Sequence, residues 1–489
     1  MASPPWYRIP GSHKTGRTAK LTISLLFLPL DTFIFFVAAF LNHFHFFHHQ
    51  QRHNRQLLLQ NPRFYPKTIL ITGINTPHGL KLARQFHYGG HRVIGTDVGL
   101  SYFRSGGSMS NTIFAYYSLS GSKSQYVSNL TDIIHREKVD LWIPYSSDIT
   151  PVEDAMAKGT IESRTSCKCL HLNVDYATLF GQHDAFLQHA EERGLPVVEK
   201  HTVHSRDSVH RILNRSPNKA YLIHKMSKGS LRDAVALPKS TPSHTYAQVS
   251  IIAISKDNPW VLKQRARQGN YWADLVLVRG RVKAIKIRSS RPQKDSRIEP
   301  GLYEIIRRLM DNFAEKAGPQ ISGHLSIKVM VDEEFAPNSV CYTVYIGGCR
   351  QGSSAVSALL DDPPSNLYTS YLEMLSPEAN ESVDSSIEPQ AYNKSGRPQK
   401  ESNYSAALNR IHIPISPVVY AAGRLWEQTQ QLQHSALSYV PFGHRLQKYT
   451  PLEGSGFSVF DPLPWWWHYH VSQPVNCMLS LFDSDVETQ

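Results

Sequence analysis

Hydrophobic and polar positions fall into distinct regimes along this chain. The first is Leu21 to Leu41, LTISLLFLPLDTFIFFVAAFL, an apolar run broken by few polar residues. About 20 apolar residues span a bilayer, so this run is long enough to cross once. Lys14, Arg17 and Lys20 precede it, and Phe44, Phe46, Phe47 and a His-rich run with Arg52 and Arg55 follow it. A cleavable signal peptide fits poorly, because the run is too long and no small-residue cleavage site follows. Pro29 and Asp31 interrupt the run, since proline removes a backbone bond and aspartate is costly in lipid. Two geometries follow: a kinked single span, or a re-entrant hairpin turning at Leu28-Pro29-Leu30-Asp31. Positive charge on both flanks does not choose between them. Either one anchors the chain in a membrane, with its main body facing the cytosol.

The next regime alternates short β-branched runs with helical periodicity. KTILITG (Lys67 to Gly73) predicts a buried parallel strand. Leu80, Leu82, Ala83 and Phe86 repeat at helical spacing, and HRVIGTD (His91 to Asp97) is a second strand ending in an acid. This is the outline of a Rossmann-like unit. The turn Gly73-Ile74-Asn75-Thr76-Pro77-His78-Gly79 is not GxGxxG, which argues against a dinucleotide and makes Asp97 a loop or cap residue. A helix around Tyr126 to Glu137 and the strand VDLWIPYSS (Val139 to Ser147) continue the block. HDAFLQHAEERGLPVVE (His183 to Glu199) then predicts an amphipathic helix ended by Gly194, followed by a strand.

From Ala220 the pattern becomes antiparallel. AYLIHKM, PWVLKQR and DLVLVRGRVKAIKI are strand candidates, with Gly280 turning Leu275–Val278 into Val282–Ile287. Tyr303 to Ala317 is helical. ISGHLSIKVMVDEE (Ile321 to Glu334) and CYTVYIGGCRQGSSAVSALL (Cys341 to Leu360) follow. Ser376 to Asn403, rich in Ser, Glu, Asn and Pro, predicts a disordered linker. In the tail, DPLPWWWHYHV (Asp461 to Val471) suits an interfacial aromatic belt or packing against a preceding domain. The predicted organisation is a basic N-terminal segment (1–20), a membrane segment (21–47), a Rossmann-like α/β domain (60–178), an α+β domain (179–375), a linker (376–403) and a C-terminal extension (404–489).

Length and charge narrow the picture. At 489 residues several domains are expected, and a formal net charge of +12 favours anionic contacts. Basic residues are scattered without a nucleic-acid motif, which argues against nucleic acid as a partner. The 5 cysteines form no disulfide framework, and Cys167 and Cys169 lack the CxxC spacing of a zinc site.

The ordered segments TGINTPHGLKLARQFHYGGHRV, VDLWIPYSS, GLPVVEKHTV, PWVLKQ, VLVRGRVKAI and SGHLSIKV resemble ATP-grasp proteins. They are most similar to the fungal membrane-anchored group related to carbamoyl-phosphate synthase. The resemblance implies a Rossmann-like pre-ATP-grasp domain and an ATP-grasp domain, with ATP held between two α+β halves. It implies ATP and Mg2+ as cofactors, with Asp, Glu and Asn oxygens holding the metal. The implied reaction is carboxylate–amine or carboxylate–thiol ligation through an acyl-phosphate, in small-molecule or secondary-metabolite biosynthesis.

Matched position by position, this chain departs from that pattern. The phosphate-binding lysines correspond to His183 and His224, with Lys225 adjacent, and the hinge acid to Gln264. The metal-strand acid corresponds to Lys328, and the final strand's Glu, Asn and Arg to Gly347, Cys349 and Gln351. Asp332 and Glu334, with Glu333 between them, are the substitute metal ligands the sequence offers, along with Asp274, Asp361 and Asp362. Arg265, Arg267, Lys286 and Arg288 are candidate contacts for an anion held without metal. Two functions follow: an ATP-dependent ligase with altered site residues, or a membrane-tethered pseudoenzyme acting as a scaffold or regulator. No catalytic residue is assigned.

Overall fold

The computed structural model of the protein describes residues 12–43, 55–98, 105–119, 123–146, 148–225, 234–266, 269–290, 298–336, 339–361, 367–376, 457–458, 460–475 and 477–478. The predicted linker 376–403 lies outside them except for its first residue, as do Arg267, Asp362 and the side chain of Glu334. The chain divides into two compact units. One comprises Met1–Leu57, Phe103–Asn111 and Ser376–Gln489, and the other Leu58–Tyr102 and Thr112–Leu375.

In the first unit, helix α1 (Ser12–His43) runs continuously through Pro29. The alternative of a hairpin turning at Leu28–Asp31 is therefore not what forms. Asp31 is buried and meets His470 Nε2 at 3.0 Å. His470 Nδ1 lies 3.2 Å from the Ser24 hydroxyl, which donates to the Tyr469 carbonyl at 2.9 Å. Trp466 donates its indole N–H to Thr32 at 3.1 Å, and Trp465 is buried. The WWWHYH segment thus packs on α1. An apolar helix tolerates Ser24, Asp31 and Thr32 on one face because that segment supplies their hydrogen-bond partners. Among the described residues no helix is long and apolar enough to cross a membrane. The side chains of residues 12–20, 22, 23 and 41–43 lie outside that set.

The second unit begins with a five-stranded sheet of order β3-β2-β1-β4-β5. Its strands are β1 (Thr68–Thr72), β2 (Arg92–Val98), β3 (Ala115–Leu119), β4 (Leu141–Pro144) and β5 (Lys168–Cys169), all parallel. Ile69 and Ile71 enter one apolar cluster, and Leu70 and Trp142 the opposite one. Burial on both faces explains why these strands appear as continuous apolar runs rather than alternating ones. Helices α2 (Pro77–Tyr88), α3 (Lys123–Glu137) and α4 (Pro151–Arg164) connect them. The turn after β1 is closed by its own residues. Gly73 has φ +79°, Thr76 caps α2 by accepting from the Gly79 N–H, and Asp97 accepts from the Asn75 N–H at 2.9 Å. Asp97 is therefore a turn cap.

Helices α5 (Val174–Gly181) and α6 (His183–Glu192) lead on to two antiparallel sheets, with Gly194 at φ +67° just past α6. The first has order β6-β9-β7-β8, from β6 (Lys200–Val203), β7 (Ala220–Lys225), β8 (Val235–Leu237) and β9 (Trp260–Arg265). Val209 and Leu213 of α7 (Arg206–Arg215) and Val249 of α8 (Pro242–Ile251) pack on it. The second has order β11-β10-β12-β13, from β10 (Gly269–Val278), β11 (Arg281–Ser289), β12 (Gly323–Ala336) and β13 (Ser339–Gln351). Arg279 and Gly280, at φ +50° and +70°, make the two-residue turn between β10 and β11 where the sequence predicts one. Helix α9 (Pro300–Ala317) covers the apolar face of this sheet through Ile306, Met310 and Phe313. The architecture is thus a parallel α/β block followed by an α+β region of two antiparallel sheets, as the sequence predicts.

Candidate anion-binding cleft

Strand alternation sorts the β11-β10-β12-β13 sheet into two chemistries. Ala273, Leu275, Leu325, Ile327, Val329 and Ile346 go to the core under α9. The alternate positions Trp272, Asp274, Ser326, Lys328 and Arg350 share the other face, because successive side chains of a strand point to opposite sides. Trp272 is the cross-strand partner of both Lys328 and Arg288. Its ring carries the Arg350 guanidinium at 4.2 Å and that of Arg288 at 5.9 Å. Asp274 is fully buried, takes Arg288 Nε at 3.0 Å and accepts the Ser326 hydroxyl. Arg288 and Asp274 therefore neutralise one another, and Arg288 is not a free anion contact.

Lys328 has no such partner. Among the described residues no carboxylate lies within ion-pair distance of it. Burial, then the charge of Arg350, holds its ammonium pKa below the usual lysine range. The β6-β9-β7-β8 sheet adds a second group. Lys263 on β9 stands opposite Lys200 on β6. Its pKa is lowered first by burial, then by Lys328 and Lys200, with Asp184 opposing. Asp184 is committed to Lys200, at 2.8 and 2.9 Å. His183, at the start of α6, is pushed down by burial and by Lys263, with further lowering from Lys200 and Lys328 against Asp184. Gly348, at φ +147°, lets the backbone of β13 pass the His183 ring, since a Cβ there would come within 3.1 Å of it.

Lys200, Lys263, Lys328 and Arg350 thus concentrate positive charge beside the His183 ring, with Asp184 opposing it at Lys200 and Lys263. Sequence reasoning selected His183 and Lys328 and missed Lys200, Lys263 and Arg350. For Lys263 a signal was present: in WVLKQR it is out of phase with Leu262 and Gln264, which face the core.

A hydrogen-bonded hub lies beside this group. Gln264 is buried; its carbonyl accepts the Glu199 N–H at 3.1 Å and its amide donates to Asp332 at 3.2 Å. Glu199 accepts from Lys219 and from the Tyr221 hydroxyl, both at 2.6 Å, and faces His201 at 3.3 Å. Burial works to raise the Glu199 carboxyl, but the bonds from Lys219, Tyr221 and His201 outweigh it and pull its pKa down to about 2. Asp332, offered by the sequence as a metal ligand, is instead a partner of Gln264. Glu199, Lys219 and Tyr221 were not singled out in the sequence, because a polar residue at or just before a short strand carries no signal of its partner.

The remaining sequence candidates scatter. His224 shares the Lys263 face of its sheet by alternation, with Nδ1 3.1 Å from the Lys225 carbonyl, and Lys225 is exposed at the strand end. Arg265 is exposed at the end of β9. Lys286 stands opposite Asp274. Gly347 sits at a β-bulge against Met330, and Cys349, opposite Ile327, is a free thiol raised by burial. Gln351 donates to the Ala177 carbonyl at 2.6 Å. Glu333 stands opposite Tyr342 in the β12–β13 ladder. Asp361 pairs with His78 at 2.7 Å.

The cation set suits the oxygens of a phosphate chain. It does not suit a divalent metal, which needs hard oxygen ligands. At the positions the resemblance marks for the metal stand an ammonium, a glycine and a thiol. Among the described residues no group of His, Cys, Asp and Glu could hold a metal ion.

A separate cavity of about 240 Å³ opens at the carboxyl end of β4, lined by Ser146, Asp148, Thr150, Asp154, His171 and Gln351 among others. Asp154 accepts the Tyr126 hydroxyl at 2.9 Å, and burial pushes its pKa up to about 7. Burial pushes His171 down to about 4; its Nε2 lies 2.8 Å from the Pro151 carbonyl.

The fold is a parallel α/β block followed by two antiparallel sheets, which carry Lys200, Lys263, Lys328 and Arg350. No family profile and no curated protein matches the chain. Among solved structures it is similar to the biotin carboxylase subunit of pyruvate carboxylase, with 11% identity over 64% of this chain and 70% of that chain and a TM-score of 0.47. It is also similar to N5-carboxyaminoimidazole synthetase from Staphylococcus aureus, with 10% identity over 64% and 77% and a TM-score of 0.39. L-amino acid ligase from Bacillus licheniformis gives 10% identity over 63% and 76%, with a TM-score of 0.38.

Proposed function

We propose that the protein is an ATP-grasp-type nucleotide-binding protein whose cleft takes the phosphate chain of ATP. One observation carries this reading: half-buried Lys263 and Lys328 lie with Lys200 and Arg350 beside the His183 ring, Asp184 is committed to Lys200, and no carboxylate among the described residues pairs with Lys328. Desolvated, mutually repelling cations are unfavourable unless an anion joins them. The chemistry of this class is ligation. A carboxylate oxygen attacks the γ-phosphorus, ADP leaves, and an amine or thiol then displaces phosphate from the acyl-phosphate. Calorimetric titration of the full chain with ATP tests binding, and phosphate release with a panel of small carboxylic acids and amines tests turnover. No ATP binding at millimolar nucleotide would refute the proposal.

Lys328 favours a second reading, the pseudoenzyme. An ammonium at the metal strand opposes the metal-assisted transfer step, so the cleft would bind nucleotide and report it to a partner without turnover. ATP binding with no phosphate release across the panel distinguishes this from the ligase.

Membrane attachment is the third element. Exposed Leu25, Leu26, Phe33, Phe36 and Phe40 on α1 support it, as apolar side chains of this size are rarely left in water as a set. The full chain is expected to float with liposomes, and recovery in the unbound fraction would refute this.

A further inference from the structure

The cleft's phosphate site and its missing metal site belong to one design. We propose that the cleft binds a polyphosphate without a divalent cation, with Lys328 and Arg350 supplying the positive charge that a bound metal would otherwise bring. This rests on the reading of the cleft as a phosphate site and goes beyond it by naming what neutralises the phosphates.

The geometry carries the argument. Lys328 and Arg350 project from β12 and β13 on one face of the sheet, Lys328 opposite Gly348 and Arg350 opposite Ser326. Gly348 has no side chain, and the His183 ring occupies the space beside it. Arg350 lies over the Trp272 ring at 4.2 Å. Stacking of this kind orients a guanidinium while leaving its edge N–H groups free to form paired bonds to phosphate oxygens. Its neighbour Arg288 is withdrawn to buried Asp274, which leaves Arg350 as the arginine on this face without an ion pair among the described residues. Lys263 and His183, from other elements, are each lowered by the charge of Lys328, which fits their lying near it.

A divalent ion would meet this arrangement unfavourably. It would approach an ammonium and a guanidinium, with Gly347 and Cys349 offering no oxygen ligand from their side chains. Asp332 is tied to Gln264, and Asp274 to Arg288 and Ser326. Burial lowers the pKa of both Lys328 and Lys263 and a neighbouring cation lowers each further, so an anion bound beside them would favour their charged form.

The test is titration of the full chain with ATP and, separately, with inorganic tripolyphosphate, in EDTA and in excess magnesium. Both ligands are expected to bind in EDTA, at least as tightly as in magnesium. Lys328→Met is expected to weaken binding in EDTA by about tenfold, or about 1.4 kcal/mol. Lys328→Glu is expected to abolish binding in EDTA and to recover part of it when magnesium is added. Thermal melting of both variants shows that they fold. Binding of wild type only in magnesium would overturn the metal-free site while leaving the nucleotide cleft intact. Binding in EDTA that Lys328→Met and Lys328→Glu leave unchanged would also overturn it. No binding of either ligand in either condition would remove the cleft reading itself.

Discussion

Replacing Asp154 by asparagine tests whether burial or local charge governs the cavity beside β4. Two effects favour the anion. The carboxyl sits in the first turn of α4, where a helix N-terminus favours negative charge by about 0.3–1 kcal/mol, and it accepts the Tyr126 hydroxyl at 2.9 Å. Burial opposes both and wins, moving the pKa from 3.8 to about 7. At about 1.4 kcal/mol per pKa unit, a ceiling of about 4 kcal/mol follows. The folded pKa lies above the unfolded one, so between about pH 4 and pH 7 the native state holds a proton that the unfolded chain releases. Stability therefore falls as pH rises through this window, and the loss is complete above pH 7. The asparagine side chain would keep an acceptor for Tyr126 and carry no charge. The variant D154N is expected to match wild type near pH 4 and to exceed it by about 2–4 kcal/mol at pH 8. Guanidinium denaturation followed by tryptophan fluorescence reads this, since Trp142 is fully buried on neighbouring β4. A difference that does not change with pH, or a variant less stable than wild type at pH 8, would refute the reasoning.

Three further outcomes are expected. Glu199→Gln removes the acceptor charge for Lys219 and Tyr221. Because the Glu199 carboxyl is lowered to about 2, the stability it contributes is present above about pH 4.5 and lost as pH falls toward 2. After solvent screening the loss at neutral pH should be about 1–2 kcal/mol, absent at pH 2, and a constant loss across that range would count against it. Gly73→Ala places a Cβ 2.5 Å from the Ser146 nitrogen at φ +79°, so it should cost several kcal/mol, roughly 2–4, and an unchanged melting temperature would contradict this. Asp31→Leu leaves His470 buried beside Ser24 without its carboxylate, at a cost of about 3 kcal/mol. Hydrogen exchange across residues 460–475 should rise, and unaltered protection there would sink the assignment.

Periodicity alone determined much of the architecture. The apolar runs at β1, β2 and β4, the helix that becomes α2 and the turn at Gly280 are local consequences of burial pattern and turn chemistry, so a single stretch of chain is enough to predict them. That Lys328, Gly347 and Cys349 carry no oxygen ligand for a metal was equally legible, because it is a matter of residue identity. Which charges stand together was not. Lys200 and Lys263 lie far apart in the chain yet face one another, as β6 pairs with β9. Asp31 appeared as an unpaired charge in an apolar run until the fold brought His470 to it. Asp332 and Gln264 appeared as a metal ligand and a lost hinge acid, and proved to be partners. Strand and helix preferences act over a few neighbouring residues, whereas the charge state and availability of a side chain depend on burial and on partners distant in the chain. Residue identity and local pattern are therefore enough for the elements, while which charges are paired and which are not is a property of the folded chain.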